Sequence, residues 1–357
     1  VAEGLISEST FEPTPATSRR ADGVLICRRP GVALCSHRER PYLSPLLGPA
    51  TLYPRLQKRM HQPTEEAMPK TLQASHTAVL VCQGRAAADG LIAAGRFTDP
   101  TAMPLLRPEE RELVQWVRDG VIPRQWRQRV DYETVRANTE VIVPRTAAID
   151  DAVRAHRSPQ LVILGAGLDG RAWRMPELAD VAVFEVDQPA SQQDKRERAA
   201  GLFGSPPTFV PVDFRHERLG EALAAAGHRA DQATTWIWEG VVPYLTAAEV
   251  AATVTALAAC SAPNSRLIVN YQTPAGIAKL GRLAARALMA STGRSSVWAN
   301  EPWRSTWTPE AMTRLLARHG YTVTSDEDLL GTAGALAVPI RHRISLRHGR
   351  VMVADRA

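Results

Sequence analysis

The 357-residue chain is 45% hydrophobic and 22% charged, which excludes wholesale disorder and leaves room for one large domain or two ordinary ones. Its formal charge of +6 is the excess of 43 basic over 37 acidic residues, and of the basic ones only Lys58, Lys70, Lys195 and Lys279 are lysines; the arginines are scattered along an Ala-rich chain, so no nucleic-acid partner is expected. No apolar run reaches the roughly 20 residues of a bilayer span, and Cys27, Cys35, Cys82 and Cys260 have neither metal-ligand spacing nor disulfide-scaffold density, so the expectation is a cytoplasmic protein with no membrane partner and no metal.

Residues 1–70 are proline-rich, lack tryptophan and keep no helical or alternating pattern. They read as a disordered arm or as an extension upstream of the natural start, since patterned sequence begins just after Met68. From Ser75 to His156 the apolar spacing is helical and predicts helices near 75–94, 108–119 and 131–156, divided by Asp99-Pro100, Gly120 and Pro123. From Leu161 short apolar runs take over: Leu161–Leu164, Val181–Val186, Thr208–Val212, Thr235–Trp238 and Leu267–Tyr271. Helical stretches around 188–200, 215–227 and 247–261 alternate with them, which predicts crossover connections and a largely parallel sheet buried on both faces. Thr246 with Glu249 forms a capping box for the helix over 247–261. Thr308, Pro309 and Gly320 bracket another helix over 309–319.

The sharpest local feature is Leu161-Val-Ile-Leu-Gly165-Ala166-Gly167-Leu168-Asp169-Gly170-Arg171, a strand running into a glycine turn at the carboxyl end of a parallel sheet. Its letters fit G-x-G-x-x-G, and Asp187 ends the next strand, where a carboxylate can hold ribose hydroxyls; a purely structural tight turn has the same letters. A dinucleotide's pyrophosphate needs a helix N-terminus, yet Asp169 puts an acid there and Pro176 cuts the following helix after about one turn. S-adenosylmethionine carries a sulfonium and an ammonium and no phosphate, so acids are an asset. Asp169, Glu185, Asp187, Asp213 and Glu239 all fall in or at the ends of strands on the ligand-binding edge. Glu239 suits an amino-acid ammonium, and Asp213 with Phe214 suits the adenine; each acid also reads as an ordinary solvated strand-end residue.

Four ordered segments carry a resemblance: Val-Ile-Leu-Gly-Ala-Gly-Leu-Asp-Gly-Arg-Ala-Trp-Arg, Phe-Glu-Val-Asp-Gln-Pro, Val-Asp-Phe-Arg and Trp-Glu-Gly-Val-Val-Pro-Tyr-Leu-Thr. From about Ser75 to the C-terminus the chain resembles the leucine carboxyl methyltransferase-like family, in its bacterial S-adenosyl-L-methionine-dependent methyltransferase branch. The resemblance implies an α/β class I Rossmann-like methyltransferase with a mostly parallel seven-stranded sheet. Residues 71–144 would form an N-terminal helical cap and 145–357 the cofactor-binding domain, closed by an antiparallel hairpin of Tyr321–Ser325 and Arg350–Val353. Gly165, Ala166 and Gly167 would pass beneath the cofactor's methionine part, beside Asp169. Asp187 would bind the ribose, Asp213 and Phe214 would frame the adenine, Glu239 would face the amino group and Arg145 would reach the carboxylate. One position departs from the family pattern: Gly170 stands where members usually carry Thr or Ser.

The implied reaction is methyl transfer to a carboxylate or hydroxyl oxygen of a small molecule. The sulfonium is already a good leaving group, so alignment supplies most of the acceleration and a base is needed only for a neutral hydroxyl. Tyr244 is the candidate for orienting the acceptor, with Tyr271 second; His156, His216, His228 and His319 are assigned no catalysis. An insertion over 272–307, with Trp298, Trp303 and Trp307, is expected to roof the acceptor pocket together with the cap. The competing readings are a cofactor-binding protein without transfer and a nicotinamide-dependent oxidoreductase.

Overall fold

The structure is a computed structural model that describes residues 75–213, 218–274 and 303–357. The arm over 1–70, Phe214, His216, Trp298 and most of the expected 272–307 insertion lie outside the described residues.

The N-terminal helices are α1 (His76–Ala88), α2 (Pro108–Asp119) and α3 (Trp126–Arg154). Ser75 caps α1 by accepting from the Ala78 N–H at 3.1 Å, and the helix ends six residues before the expected boundary at 94, in turns that include Ala93 at φ 52°. α3 starts earlier than expected and runs unbroken through Pro144, across the expected domain start at 145. Proline there has no N–H for the Glu140 carbonyl. Burial of Ile142, Val143, Ala147 and Ile149 around it holds the helix together.

The alternating half contains β1 (Gln160–Leu164), α4 (Arg171–Arg174), β2 (Ala182–Asp187), α5 (Pro189–Ala199), β3 (Thr208–Pro211), α6 (Leu219–Ala225), β4 (Thr234–Trp238), α7 (Ala247–Ala259) and β5 (Arg266–Gln272). After these come α8 (Pro309–Ala317), β6 (Tyr321–Asp328), α9 (Leu329–Ala335), α10 (Arg343–His348) and β7 (Gly349–Arg356). The sheet has seven strands in the order β3-β2-β1-β4-β5-β7-β6. The first five are parallel, and β7 pairs antiparallel with both β5 and β6. This is the class I methyltransferase arrangement, with the expected terminal hairpin. The Thr246–Glu249 capping box is present: the Thr246 N–H donates to Glu249 Oε2 at 2.7 Å and the Glu249 N–H to Thr246 Oγ1 at 3.2 Å.

β1 shows why the sheet is buried on both faces. Val162 and Leu164 point into a core with Trp236, Trp238 and the apolar sides of α6, α7 and α8. Leu161 and Ile163 point the other way, against Ile149 and Val153 of α3 and Leu329 of α9. A third cluster joins α1 and α2 to Leu168 of the glycine turn through Leu80, Leu105, Leu106 and Val114. Chain order reverses between β1 and β4, so a crevice opens at the carboxyl ends of those two strands. Among the described residues no helix is long and apolar enough to cross a membrane.

Candidate functional site

β1 delivers the chain to that crevice at Leu164, and the next residues turn sharply. Gly165 (φ +63°) and Gly167 (φ +49°) take left-handed conformations; a Cβ would lie 2.5 Å from Val241 at the first and 2.9 Å from Ala78 at the second. The Gly165 N–H donates to the Val186 carbonyl at 2.8 Å, and the Gly167 N–H to Asp187 Oδ2 at 2.7 Å. The turn is therefore fastened to the end of β2 by backbone and by carboxylate. Asp187 Oδ1 accepts from the Gln188 N–H at 2.7 Å. Burial raises the Asp187 carboxyl above its ordinary value, against the pull of these two N–H groups.

α4 is a single turn that ends before Pro176, as expected. The departure at Gly170 has a steric explanation. A Cβ built there would fall 1.8 Å from Thr101 Oγ1, so a residue of the N-terminal helical region occupies the space, its hydroxyl donating to Asp99 Oδ1 at 2.6 Å.

The acids do not stand alone. Glu239, just past β4, has both oxygens engaged: Arg145 Nε donates to Oε1 at 2.7 Å and Arg171 Nη1 to Oε2 at 2.8 Å. Arg171 also pairs with Asp169 and donates from Nε to Asp150 at 2.7 Å. Arg174 joins Asp150 at 2.7 Å, while Arg85 joins Asp99 at 2.8 Å and donates to the Leu168 carbonyl at 2.6 Å. Arg85, Arg145, Arg171 and Arg174 thus balance Asp99, Asp150, Asp169 and Glu239 in one buried network. Burial opposes ionisation of Asp169 and Glu239, but the arginines outweigh it and hold both carboxyls below the usual range. The expectation of an acidic cradle at Asp169 is corrected accordingly: its charge is neutralised by Arg171, so repulsion at this turn is no argument against a phosphate.

Arg145, Gly165, Ala166, Gly167, Asp169, Asp187, Asp213, Glu239 and Tyr244 all line one cavity of about 1260 Å³. Tyr244 ends a 3₁₀ turn over Val242–Tyr244, and Trp303 stands at the same cavity. Two expectations fail. Glu185 is not on the ligand edge: it is fully buried on the face of β2 that meets α5, where it pairs with Lys195. Burial pushes its carboxyl up to about 7, Lys195 offsetting part of the rise. Tyr271 is a buried core residue whose hydroxyl donates to Asp326 at 2.8 Å. Trp307 packs against the core, its backbone N–H donating to the Gln272 carbonyl at 2.9 Å and its indole N–H to Ser305 Oγ at 3.2 Å.

Of the network's four arginines, sequence reasoning singled out Arg145 and missed Arg85, Arg171 and Arg174. Arg171 and Arg174 stand inside the quoted glycine motif, and the signal was a pair of arginines on a one-turn helix that packs into an apolar core. Arg85, Asp99 and Asp150 carry no comparable local mark.

Residues 78–258 match the family described as leucine carboxyl methyltransferase. A Mycolicibacterium vanbaalenii protein named "Putative S-adenosyl-L-methionine-dependent methyltransferase" is 35% identical over 225 residues, covering 60% of this chain and 71% of its own length. A Mycobacterium tuberculosis protein of the same name is 34% identical over 275 residues, covering 68% of this chain and 87% of its own. Among solved structures, magnesium protoporphyrin IX methyltransferase from Synechocystis PCC 6803 is similar at 15% identity and a TM-score of 0.38, over 62% of this chain and 87% of that one. Strand order, and not that likeness, carries the fold assignment.

Proposed function

The chain belongs to the leucine carboxyl methyltransferase family and is an S-adenosyl-L-methionine-dependent methyltransferase; we propose that its acceptor is a small molecule and that the methyl group goes to a carboxylate or hydroxyl oxygen. The observation that carries the site assignment is the meeting of the glycine turn, Asp187, Glu239 and Arg145 around one cavity at the switch between β1 and β4.

The residues suit the cofactor's parts. Arg145 and Glu239 offer one charge of each sign, which complements an amino acid's carboxylate and ammonium. Asp187 has about four acceptor positions, which serve Gly167, Gln188 and the Ser191 side chain and leave capacity for a ribose hydroxyl. The positive-φ backbone at Gly165 and Gly167 lets a ligand approach without meeting a side chain. Asp169 borders the turn and Asp213 sits past β3, on the side assigned to the adenine; Phe214 joins it in the proposal from the family motif.

When bound, the sulfonium supplies an activated methyl group. The protein's part is to exclude water and align the acceptor oxygen in line with the bond that breaks. Tyr244 is proposed to orient that oxygen from its 3₁₀ turn, and Trp303 to wall the acceptor space. A carboxylate acceptor needs no base, which agrees with a cavity whose described acids are paired or devoted to the cofactor.

The test is calorimetric binding of S-adenosylmethionine followed by transfer of its labelled methyl group to fractionated metabolites. Label released as methanol by mild alkali identifies a methyl ester, and alkali-stable label on oxygen identifies an ether. Transfer to nitrogen or sulfur would overturn the oxygen assignment.

A further inference from the structure

We propose that Arg171 is a positioning residue: it keeps the Glu239 carboxylate aimed at the cofactor's ammonium while Arg145 exchanges Glu239 for the cofactor's carboxylate. The inference rests on the cofactor site proposed above and adds to it a residue to which the family motifs give no role.

Glu239 is gripped from two sides by arginines in different situations. Arg145 lines the cavity, its side chain 11% exposed, with Glu239 as its ion-pair partner at 2.7 Å. A ligand bearing a carboxylate can reach it and compete for it. Arg171 is 1% exposed, does not line the cavity, and is tied through Nε to Asp150 and through Nη1 to Asp169 as well as Glu239. A ligand in the cavity meets Arg145 and cannot displace Arg171.

The charge count makes the exchange feasible. Before binding, Glu239 is paired with two guanidinium groups. Afterwards it keeps Arg171 and trades Arg145 for an ammonium, while Arg145 trades one carboxylate for another, so no buried charge is left without a partner. Were Arg171 absent, departure of Arg145 would leave Glu239 free to rotate or to take up a proton, since burial opposes its ionised form. Asp150 completes the device. It holds Arg171 from α3, the helix that also carries Arg145, and is itself braced by Arg174.

The decisive comparison uses two ligands, S-adenosylhomocysteine and 5′-methylthioadenosine, the second lacking the amino-acid tail. In Arg171→Lys, calorimetry is expected to show S-adenosylhomocysteine binding weakened about tenfold or more, the scale of a lost charge-assisted contact. Affinity for methylthioadenosine should remain within about twofold, because no tail contact is involved. A general loosening of the pocket would weaken both ligands alike, and that result would overturn the inference, as would unchanged binding of both. Should Arg171→Lys not fold, the double variant Arg171→Gln with Asp150→Asn removes one buried charge of each sign and is expected to give the same selective loss. Failure of the parent protein to bind S-adenosylhomocysteine would instead overturn the cofactor-site reading on which the inference stands.

Discussion

Replacing Asp187 by Asn separates what this residue does for the fold from what it does for a ligand. The carboxylate accepts from Gly167 and Gln188, both at 2.7 Å, one on each oxygen. An amide keeps a single acceptor oxygen and turns an NH2 group toward the other N–H. One backbone donor therefore loses its partner, at a cost of about 1–3 kcal/mol in stability, readable as a lower urea midpoint with an unchanged slope. The same substitution removes charge-assisted capacity for the ribose hydroxyl, worth about 1.5–3 kcal/mol of affinity, which corresponds to about tenfold to 150-fold in Kd. Calorimetry with S-adenosylhomocysteine and with its 2′-deoxy analogue forms a cycle that isolates the sugar contact. The loss should shrink for the deoxy ligand. Equal losses for both ligands would mean that the glycine turn, and not the ribose, carries the effect. A folded Asp187→Asn with parental affinity would remove the residue from the site.

Three further outcomes are expected. Glu185 has a carboxyl raised from 4.5 to about 7 in the folded protein, so the unfolded chain gives up this proton first and stability falls as pH rises between those values, by up to about 3 kcal/mol. Urea unfolding of Glu185→Gln across that range should show a shallower pH slope than the parent, and parallel curves would refute the assignment. Gly170→Thr should destabilise by about 2 kcal/mol or more, because its Cβ collides with Thr101; in a Thr101→Gly background the same change should cost less than half as much, and an additive cycle would show that the collision is not the cause. Tyr244→Phe should lower kcat/KM for the acceptor by about threefold to tenfold, the worth of one hydrogen bond, with cofactor Kd unchanged; a shift in cofactor Kd instead would move Tyr244 to the other side of the cavity.

Sequence patterning reached the sheet because each parallel strand is buried on both faces and reads as a short apolar run; Leu161–Leu164 and Thr235–Trp238 fall within one residue of β1 and β4. The terminal hairpin was harder to bound: β6 and β7 run three residues past Ser325 and Val353, where Asp326–Asp328 and Asp355–Arg356 are incompletely buried and the apolar pattern ends. At the site, residues fixed by their place at a strand end were legible, and Asp187 and Glu239 stand where a carboxyl-edge crevice needs them. Glu185 was misplaced because it lies two residues before Asp187 and has the same chemistry; depth along the strand, which no local pattern encodes, puts it beside Lys195. The arginine network escaped for a related reason. Arg145 and Glu239, or Arg85 and Leu168, are brought together by tertiary packing across 94 and 83 residues of chain, and sequence spacing is silent about pairs so far apart.

The continuity of α3 through Pro144 bears on how this protein can be recombined with its relatives. One rigid element spans the stretch where a boundary between helical cap and catalytic half would be drawn, and it carries Arg145 and Asp150 beyond that point. A chimera joined at residue 145 would graft half a helix onto a foreign partner and part Asp99 and Thr101 from Arg174 and Gly170, which they meet. Exchange of the N-terminal helices should instead be spliced after Arg154, and should carry Asp99, Thr101, Arg145 and Asp150 together with the residues at 169–174 and the Glu239 that they meet. What can be exchanged in this scaffold is a block whose edges are set by buried charge and steric fit.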